Sequence, residues 1–370
     1  MAAIITCAET RQSLAATRSL GRAQVLVAVA SNKRPALAMW SRYATSTFLT
    51  ADPKDSQAFV ENLVDELRGR YAICAFTSRD NAWWALSKYR DFLPDTAKKI
   101  LPPHFSVVRS LDHEALYDFA QSLGIACVRL VPISKDENKE LRLKKLHYPV
   151  RIRSSIALAE KDEAFINNQR LVASSKSQLL TLIDKHSWLK NGFLVSDYQS
   201  QRFLSYFGVA EKGQVLVEGF QERLNEFAPL NEVSTLAQTI SPIPNIRRSA
   251  QKLLSALQWQ GPFKVDFIKD LRGSVRLVSL VGRLWGSLEL AIKSGVNIPL
   301  ITYRLAEGTL SRDLLNNARP NVRLRWLLGD MMAKISSPSK AIIDVKKMAQ
   351  NFDFKFLVDL IRTKNITNYY

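Results

Sequence analysis

Residues 261–288 read GPFKVDFIKDLRGSVRLVSLVGRLWGSL. Two short apolar runs, 263–268 and 275–280, read as strands. Upstream, a helix expected over 247–257 stops near Gln260-Gly261, a glycine end of the usual kind. Three more strand-like runs precede it, at 193–196, 203–207 and 214–218. From Gly192 onward the chain is therefore expected to form mostly strands, interrupted by one long helix.

Working outward, the first 110 residues have a different rhythm. Apolar runs at 3–6, 25–30 and 72–77 alternate with helical stretches at 11–20, 56–67 and 81–89. Such alternation predicts parallel strands with right-handed crossovers. Pro94, Pro102 and Pro103 punctuate the chain, and a new unit opens with Asp112 as an N-cap and Gly124 as a stop. A strand at 125–130, a basic helix at 135–146, a strand at 147–152 and a helix at 177–186 follow. Residues 311–370 read as helical, with segments at 313–317, 322–333, 342–351 and 354–361. Trp83-Trp84 reads as a half-buried helix face, and Trp326 as core packing.

Composition narrows the function classes. The chain has 370 residues, long enough for two or three domains. No apolar run approaches the roughly 18 residues that span a bilayer. The cysteines, Cys7, Cys74 and Cys127, are far apart, and the four histidines form no ligand spacing, which argues against structural zinc. An odd cysteine count suits a reducing compartment, so a cytoplasmic protein is expected. Glycine, at 14 residues, is scarce, and loops that cradle phosphate normally need it. The 52 Lys and Arg against 34 Asp and Glu give a net charge of +18, which favours anionic partners. That charge is spread thinly and no base-reading motif accompanies it, so any nucleic-acid affinity is expected to be nonspecific. The first fifty residues hold six basic side chains and one acid, Glu9, as a transit peptide does. Their strand–helix–strand pattern supports a folded reading instead.

The order of these passages resembles the ATP-grasp proteins of the carboxylate–amine ligase group, related to carbamoyl-phosphate-synthase-type enzymes. Thr10-Arg11 with Leu14 to Leu20-Gly21-Arg22, and then Ser41-Arg42-Tyr43, resemble the family's opening domain. Leu116 to Gly124-Ile125 resembles the entry to the first lobe. Tyr148-Pro149-Val150-Arg151-Ile152-Arg153 resembles the strand that ends in an ATP-binding Lys. Residues 261–267 with 283–288 resemble the metal-binding strand pair, and Ala291 to Pro299 and Arg323 to Asp330 continue the pattern. The resemblance implies a mixed α/β and α+β protein, bacterial and homodimeric. Its parts would be a Rossmann-like domain (1–110), two ATP-grasp lobes (111–190 and 191–310) and a helical C-terminal segment (311–370).

It also implies chemistry. ATP would lie between the lobes, a carboxylate would be phosphorylated, and an amine would displace the phosphate. Mg²⁺ on strand carboxylates would bridge the phosphate oxygens. Carried over residue by residue, Arg153 takes the Lys position, as a phosphate grip or as a plain strand end. Ser196, Asp197 and Tyr198 lie where adenine meets backbone. The ribose-gripping acid should stand near Gln201 or Arg202, neither of which is a carboxylate. Asp266 matches the first metal ligand, while the Glu and Asn expected next are Ser279 and Val281. Arg283 matches an Arg at the γ-phosphate, or it stacks on Trp285. The loop after Arg153, Ser154-Ser155-Ile156-Ala157-Leu158-Ala159, lacks glycine. Three readings follow: a nucleotide-binding relative without turnover, a working ligase with substituted ligands, and a basic-surface binder of an anionic partner.

Overall fold

The computed structural model describes residues 1–133, 146–154, 158–159, 164–165, 170–187, 189, 193–197, 202–227, 233–270, 273–326 and 366–369. The helices read from the sequence at 135–146, 342–351 and 354–361 lie outside them.

The N-terminal unit follows from its apolar runs. Ala2–Ile5 (β1) is buried along its whole length, and α1 (Arg11–Arg22) returns the chain to β2 (Leu26–Ser31). Thr10 caps α1 by accepting from Ser13 N. The helix does not stop at Gly21 as the sequence predicts. Gly21 serves a close approach instead, since a Cβ there would overlap Tyr43. β3 (Ser46–Leu49), α2 (Ser56–Gly69), β4 (Ala72–Phe76), α3 (Asp80–Lys88) and the short α4 (Asp95–Lys98) follow. The strands form one parallel sheet in the order β3-β2-β1-β4. Covered on both faces, it needs no polar alternation. Helices α5 (His104–Leu111) and α6 (His113–Ser122) lead out, with the Asp112 carboxylate accepting from Glu114 N and Ala115 N at the start of α6. The strand expected at 125–130 is a single bridge: Ala126 O and Val128 N bond Leu277.

A second unit is antiparallel. It holds β5 (Val131–Ile133), β6 (Val150–Ser154), a two-residue hairpin β7 (Leu158–Ala159) and β8 (Ala164–Phe165), β9 (Arg170–Ala173), α7 (Lys176–Lys185) and β10 (Phe193–Asp197). Its main sheet runs β5-β10-β6-β9. It keeps its own apolar cluster, with Val150, Ile152, Leu179, Ile183 and Phe193 buried.

The third unit begins with the hairpin β11 (Arg202–Glu211) and β12 (Gln214–Phe227). Lys212 and Gly213 both have positive φ (48° and 77°), the two-residue turn whose twist matches paired strands. β13 (Val233–Thr239), α8 (Pro244–Ala256), β14 (Gly261–Lys269), β15 (Val275–Val281), α9 (Leu288–Ser294) and α10 (Ile298–Glu307) follow. β16 (Arg323–Trp326) and β17 (Ile366–Tyr369) complete a seven-stranded sheet, β15-β14-β11-β12-β13-β16-β17. The described start of the helix expected over 322–333 is thus a strand. Arg323, Leu324 and Arg325 pair with β13, with Arg323 exposed and Leu324 buried.

The first and third units share their cores. One cluster joins Ile4, Phe59 and Trp83 to Leu254, Trp259 and Phe263. The other joins Ile5, Leu20 and Val29 to Val209, Trp285 and Ile298. Trp83 and Trp84 are both buried, not half-buried, and the Trp83 ring lies 5.8 Å from that of Trp259. α1 packs on α9 and α10, and Tyr303 OH donates to the Met1 carbonyl at 2.9 Å. Gly261, at φ +78°, brings its backbone so near the Ile100 carbonyl that a side chain would overlap it.

Candidate functional site in the interlobe cleft

The strand quoted first, β14, has two unlike faces. Phe263, Val265 and Phe267 point into the shared core, where the Tyr206 ring sits 5.3 Å from Phe263 and 4.9 Å from Phe220. Lys264 and Asp266 point the other way. Register decides what they meet: Asp266 lies opposite Ser205 on β11 and Ser279 on β15, and Lys264 lies opposite Val281. Ser205 in turn lies opposite Gln221 on β12.

These residues form one polar rung across four strands. The Lys264 ammonium lies 2.9 Å from each oxygen of the Asp266 carboxylate. Ser205 Oγ donates to Oδ1 at 2.7 Å and Ser279 Oγ to Oδ2 at 3.0 Å. Gln221 Nε2 donates to Ser205 Oγ at 3.4 Å and to Ser287 Oγ at 2.9 Å. An ionised carboxylate offers about four lone-pair directions, and Asp266 accepts three hydrogen bonds here, with the ammonium against both oxygens.

Charge and burial act together at this rung. The Lys264 and Asp266 side chains are only 11% and 14% exposed. Burial alone would raise the Asp266 pKa, but the Lys264 ammonium and the Arg223 guanidinium outweigh it and hold the carboxyl below its usual range. Burial lowers the Lys264 pKa, with Asp266 opposing.

The rung does not fit a divalent metal. Mg²⁺ demands oxygen ligands at about 2.0–2.1 Å in octahedral array. Of the three positions where the resemblance implies ligands, Ser279 offers a hydroxyl already donated to Asp266, and Val281 offers nothing. A divalent ion about 4 Å from the Lys264 ammonium would meet roughly 8 kcal/mol of repulsion at an effective dielectric near 20. Among the described residues, no three His, Cys, Asp or Glu side chains gather to hold a metal ion.

The other expected residues are distributed around the cleft. Arg283 forms a two-pronged pair with Asp80 of α3, Nη2 lying 3.2 Å from Oδ2. Arg153 is buried on β6, where its Nη1 donates to His113 Nε2 at 2.9 Å. Ser196 and Asp197 end β10. The register with β5 stops at Val195, so among the described strands the backbone of Ser196 and Asp197 is paired only with β6. An edge of this kind leaves main-chain groups for a planar base. The side chain of Asp197, all of Tyr198 and Gln201, and loop residues 155–157 lie outside the described residues. Arg202 is paired with Glu222 on β12, Nε to Oε1 and Nη2 to Oε2 both at 2.5 Å. A carboxylate therefore stands beside the place where the ribose acid was expected, already engaged. Trp326 receives the Arg11 guanidinium 4.4 Å above its ring, which ties α1 to β16.

Several cleft residues were not found from the sequence. Phe203 takes Arg151 of β6 and Arg223 of β12 on its ring, at 4.9 and 4.8 Å, and so joins the two lobes. Ser205, Gln221 with Arg223, and Ser287 come from three places in the chain and carry no local signal. Lys264 does carry one, since a Lys two residues before an Asp on a strand shares its face. On the opposite face of the sheet a cavity of about 400 Å³ is lined by Glu218, Arg247, Gln251 and Asn317. Its charges satisfy one another: Arg247 pairs with Glu218, which also accepts from Tyr206 OH at 2.5 Å.

No protein-family model matches this chain, and no curated protein matches it by sequence. Solved structures do match. An N5-carboxyaminoimidazole synthetase from Staphylococcus aureus in complex with ADP is 13% identical, with 87% of this chain and 80% of that one covered and a TM-score of 0.64. An L-amino acid ligase from Bacillus licheniformis is 13% identical, with 87% and 78% covered and a TM-score of 0.65. The biotin carboxylase domain dimer of Hydrogenobacter thermophilus 2-oxoglutarate carboxylase, in complex with MgADP, ADP and bicarbonate, is 14% identical, with 87% and 73% covered and a TM-score of 0.61. At such identities the likeness is one of fold. The chain has the mixed α/β ATP-grasp fold of the carboxylate–amine ligases. No helix among the described residues is long and apolar enough to cross a membrane.

Proposed function

We propose that this chain binds a nucleotide between its lobes and does not carry out the metal-assisted phosphoryl transfer of the ligases whose fold it shares. The Asp266 carboxylate carries the proposal, because it is already engaged by Lys264, Ser205 and Ser279. Phosphoryl transfer depends on cations held at the transferring group, and removing their seats raises the barrier by several kcal/mol, about 10³-fold in rate.

What remains suits binding. The backbone of Ser196 and Asp197, which among the described strands is paired only with β6, would take adenine. Arg153 would face the phosphates from β6 and Arg283 from the β15 side. Arg283 would exchange its Asp80 partner for the outermost phosphate. The same proposal divides the chain into an N-terminal domain (1–110), two lobes (111–190 and 191–310) and a C-terminal segment (311–370). A homodimer is part of it, by analogy with the dimeric biotin carboxylase domain, and so is a place in the cytoplasm.

Two measurements on the purified protein test the proposal: calorimetric titration with ATP, and phosphate release across panels of acids and amines. Saturable micromolar binding without release is the expected result. Release that requires both an acid and an amine would establish a working ligase with substituted ligands. Absence of binding up to millimolar ATP would remove the nucleotide from the account.

A further inference from the structure

We infer that Lys264 is a built-in counter-ion that replaces the divalent metal, so that this cleft takes the metal-free form of a nucleoside polyphosphate. The inference rests on the nucleotide-binding proposal and specifies its ligand.

The geometry points to it in three ways. First, the ammonium sits astride the carboxylate, 2.9 Å from both oxygens, where a cation coordinated by Asp266 would sit. A lysine reaching out to solvent would not straddle a carboxylate in its own strand. Second, the remaining directions of that carboxylate are closed by Ser205 and Ser279, which fix it in place. Third, the cross-strand neighbours of Lys264 and Asp266 are Val281 and Ser279, so no second acid stands on β15 to draw a metal in. The Arg223 and Arg283 guanidiniums act on the same ammonium from β12 and from beyond β15, and both add positive potential.

The consequence for the ligand is a matter of charge. ATP carries about four negative charges when free, and Mg²⁺ removes two of them. A wall whose carboxylate is already neutralised by its own cation, with the Arg223 guanidinium beside it, attracts the free anion more strongly than the magnesium complex. A metal-dependent site behaves in the opposite way, because its carboxylates repel the free anion.

Calorimetric titration with ATP in EDTA and in excess Mg²⁺ separates the two. The wild-type protein is expected to bind at least as tightly in EDTA as in Mg²⁺. Lys264→Met should weaken binding in EDTA by about tenfold or more. A thermal melt of the unliganded variant checks that it folds. A second variant works in the other direction. Lys264→Ala/Ser279→Glu/Val281→Asn clears the ammonium and supplies carboxylate and amide oxygens on the facing strand. It should bind Mn²⁺, read by the loss of the free-ion electron paramagnetic resonance signal, whereas the wild-type protein should leave that signal unchanged. Binding of ATP only in Mg²⁺, or Mn²⁺ uptake by the wild-type protein, would overturn the inference and leave the nucleotide proposal standing. Failure to bind ATP in either buffer would overturn both.

Discussion

The two faces of β14 and its neighbours have opposite characters. On one, Phe263, Val265 and Phe267 continue the core that the third unit shares with the first. On the other, Lys264 and Asp266 lie in a polar rung with Ser205, Gln221 and Ser279. Because side chains alternate with a period of two, either face can change while the other stays fixed. The apolar face holds the architecture shared with distant ligases. The polar face decides whether a metal has a seat. The fold is shared at 13% identity, and the proposed loss of the metal seat would leave it intact.

The strongest way to break this separation is from the apolar side. Phe263→Ala is expected to cost about 3–5 kcal/mol in urea unfolding, the usual loss for a buried Phe. If the faces are independent, ATP affinity measured well below the unfolding midpoint should stay unchanged. A joint loss of affinity would show that they are coupled. On the polar side, Lys264→Met should cost about 3 kcal/mol, because it strands a buried carboxylate. Lys264→Met/Asp266→Leu should recover most of that loss, and a double-mutant cycle measures the recovery. Recovery would mean that the pair is kept for its charge pattern rather than for stability. The smallest effect concerns acid. The Asp266 pKa lies below its usual value, with Lys264 and Arg223 facing it, so its contribution is present at neutral pH and is lost as the pH falls through the folded-state value. Asp266→Asn should flatten the acid limb of the stability profile, and an unchanged limb would mean that the cations do not hold the carboxylate.

Most of the architecture was legible in the sequence, because it depends on local pattern. The cap Asp112, the apolar runs of β1, β2 and β4, and the strands β11, β12, β14 and β15 announce themselves within a few residues, while β13 does not. The strand at Arg323–Trp326 did not, since its pairing with β13 rather than its composition makes it extended. Asp266, Arg153 and Arg283 were singled out in the sequence through the family resemblance, and their roles stay proposals. Their partners were not legible. Asp80 is 203 residues from Arg283 and Ser205 is 61 from Asp266, so only tertiary register brings them together. Lys264 is the exception, lying on the face of Asp266 by spacing alone.

The bond from Tyr303 to the Met1 carbonyl joins positions 302 residues apart. It marks how late the N-terminal sheet is covered. Ile5, Leu20 and Val29 find Trp285 and Ile298 only after those residues have left the ribosome. From residue 110 to residue 303, synthesis at about 5–20 residues per second takes roughly 10–40 s. Through that interval the first unit carries an uncovered apolar face, and the antiparallel lobe, with a cluster of its own, can close beside it.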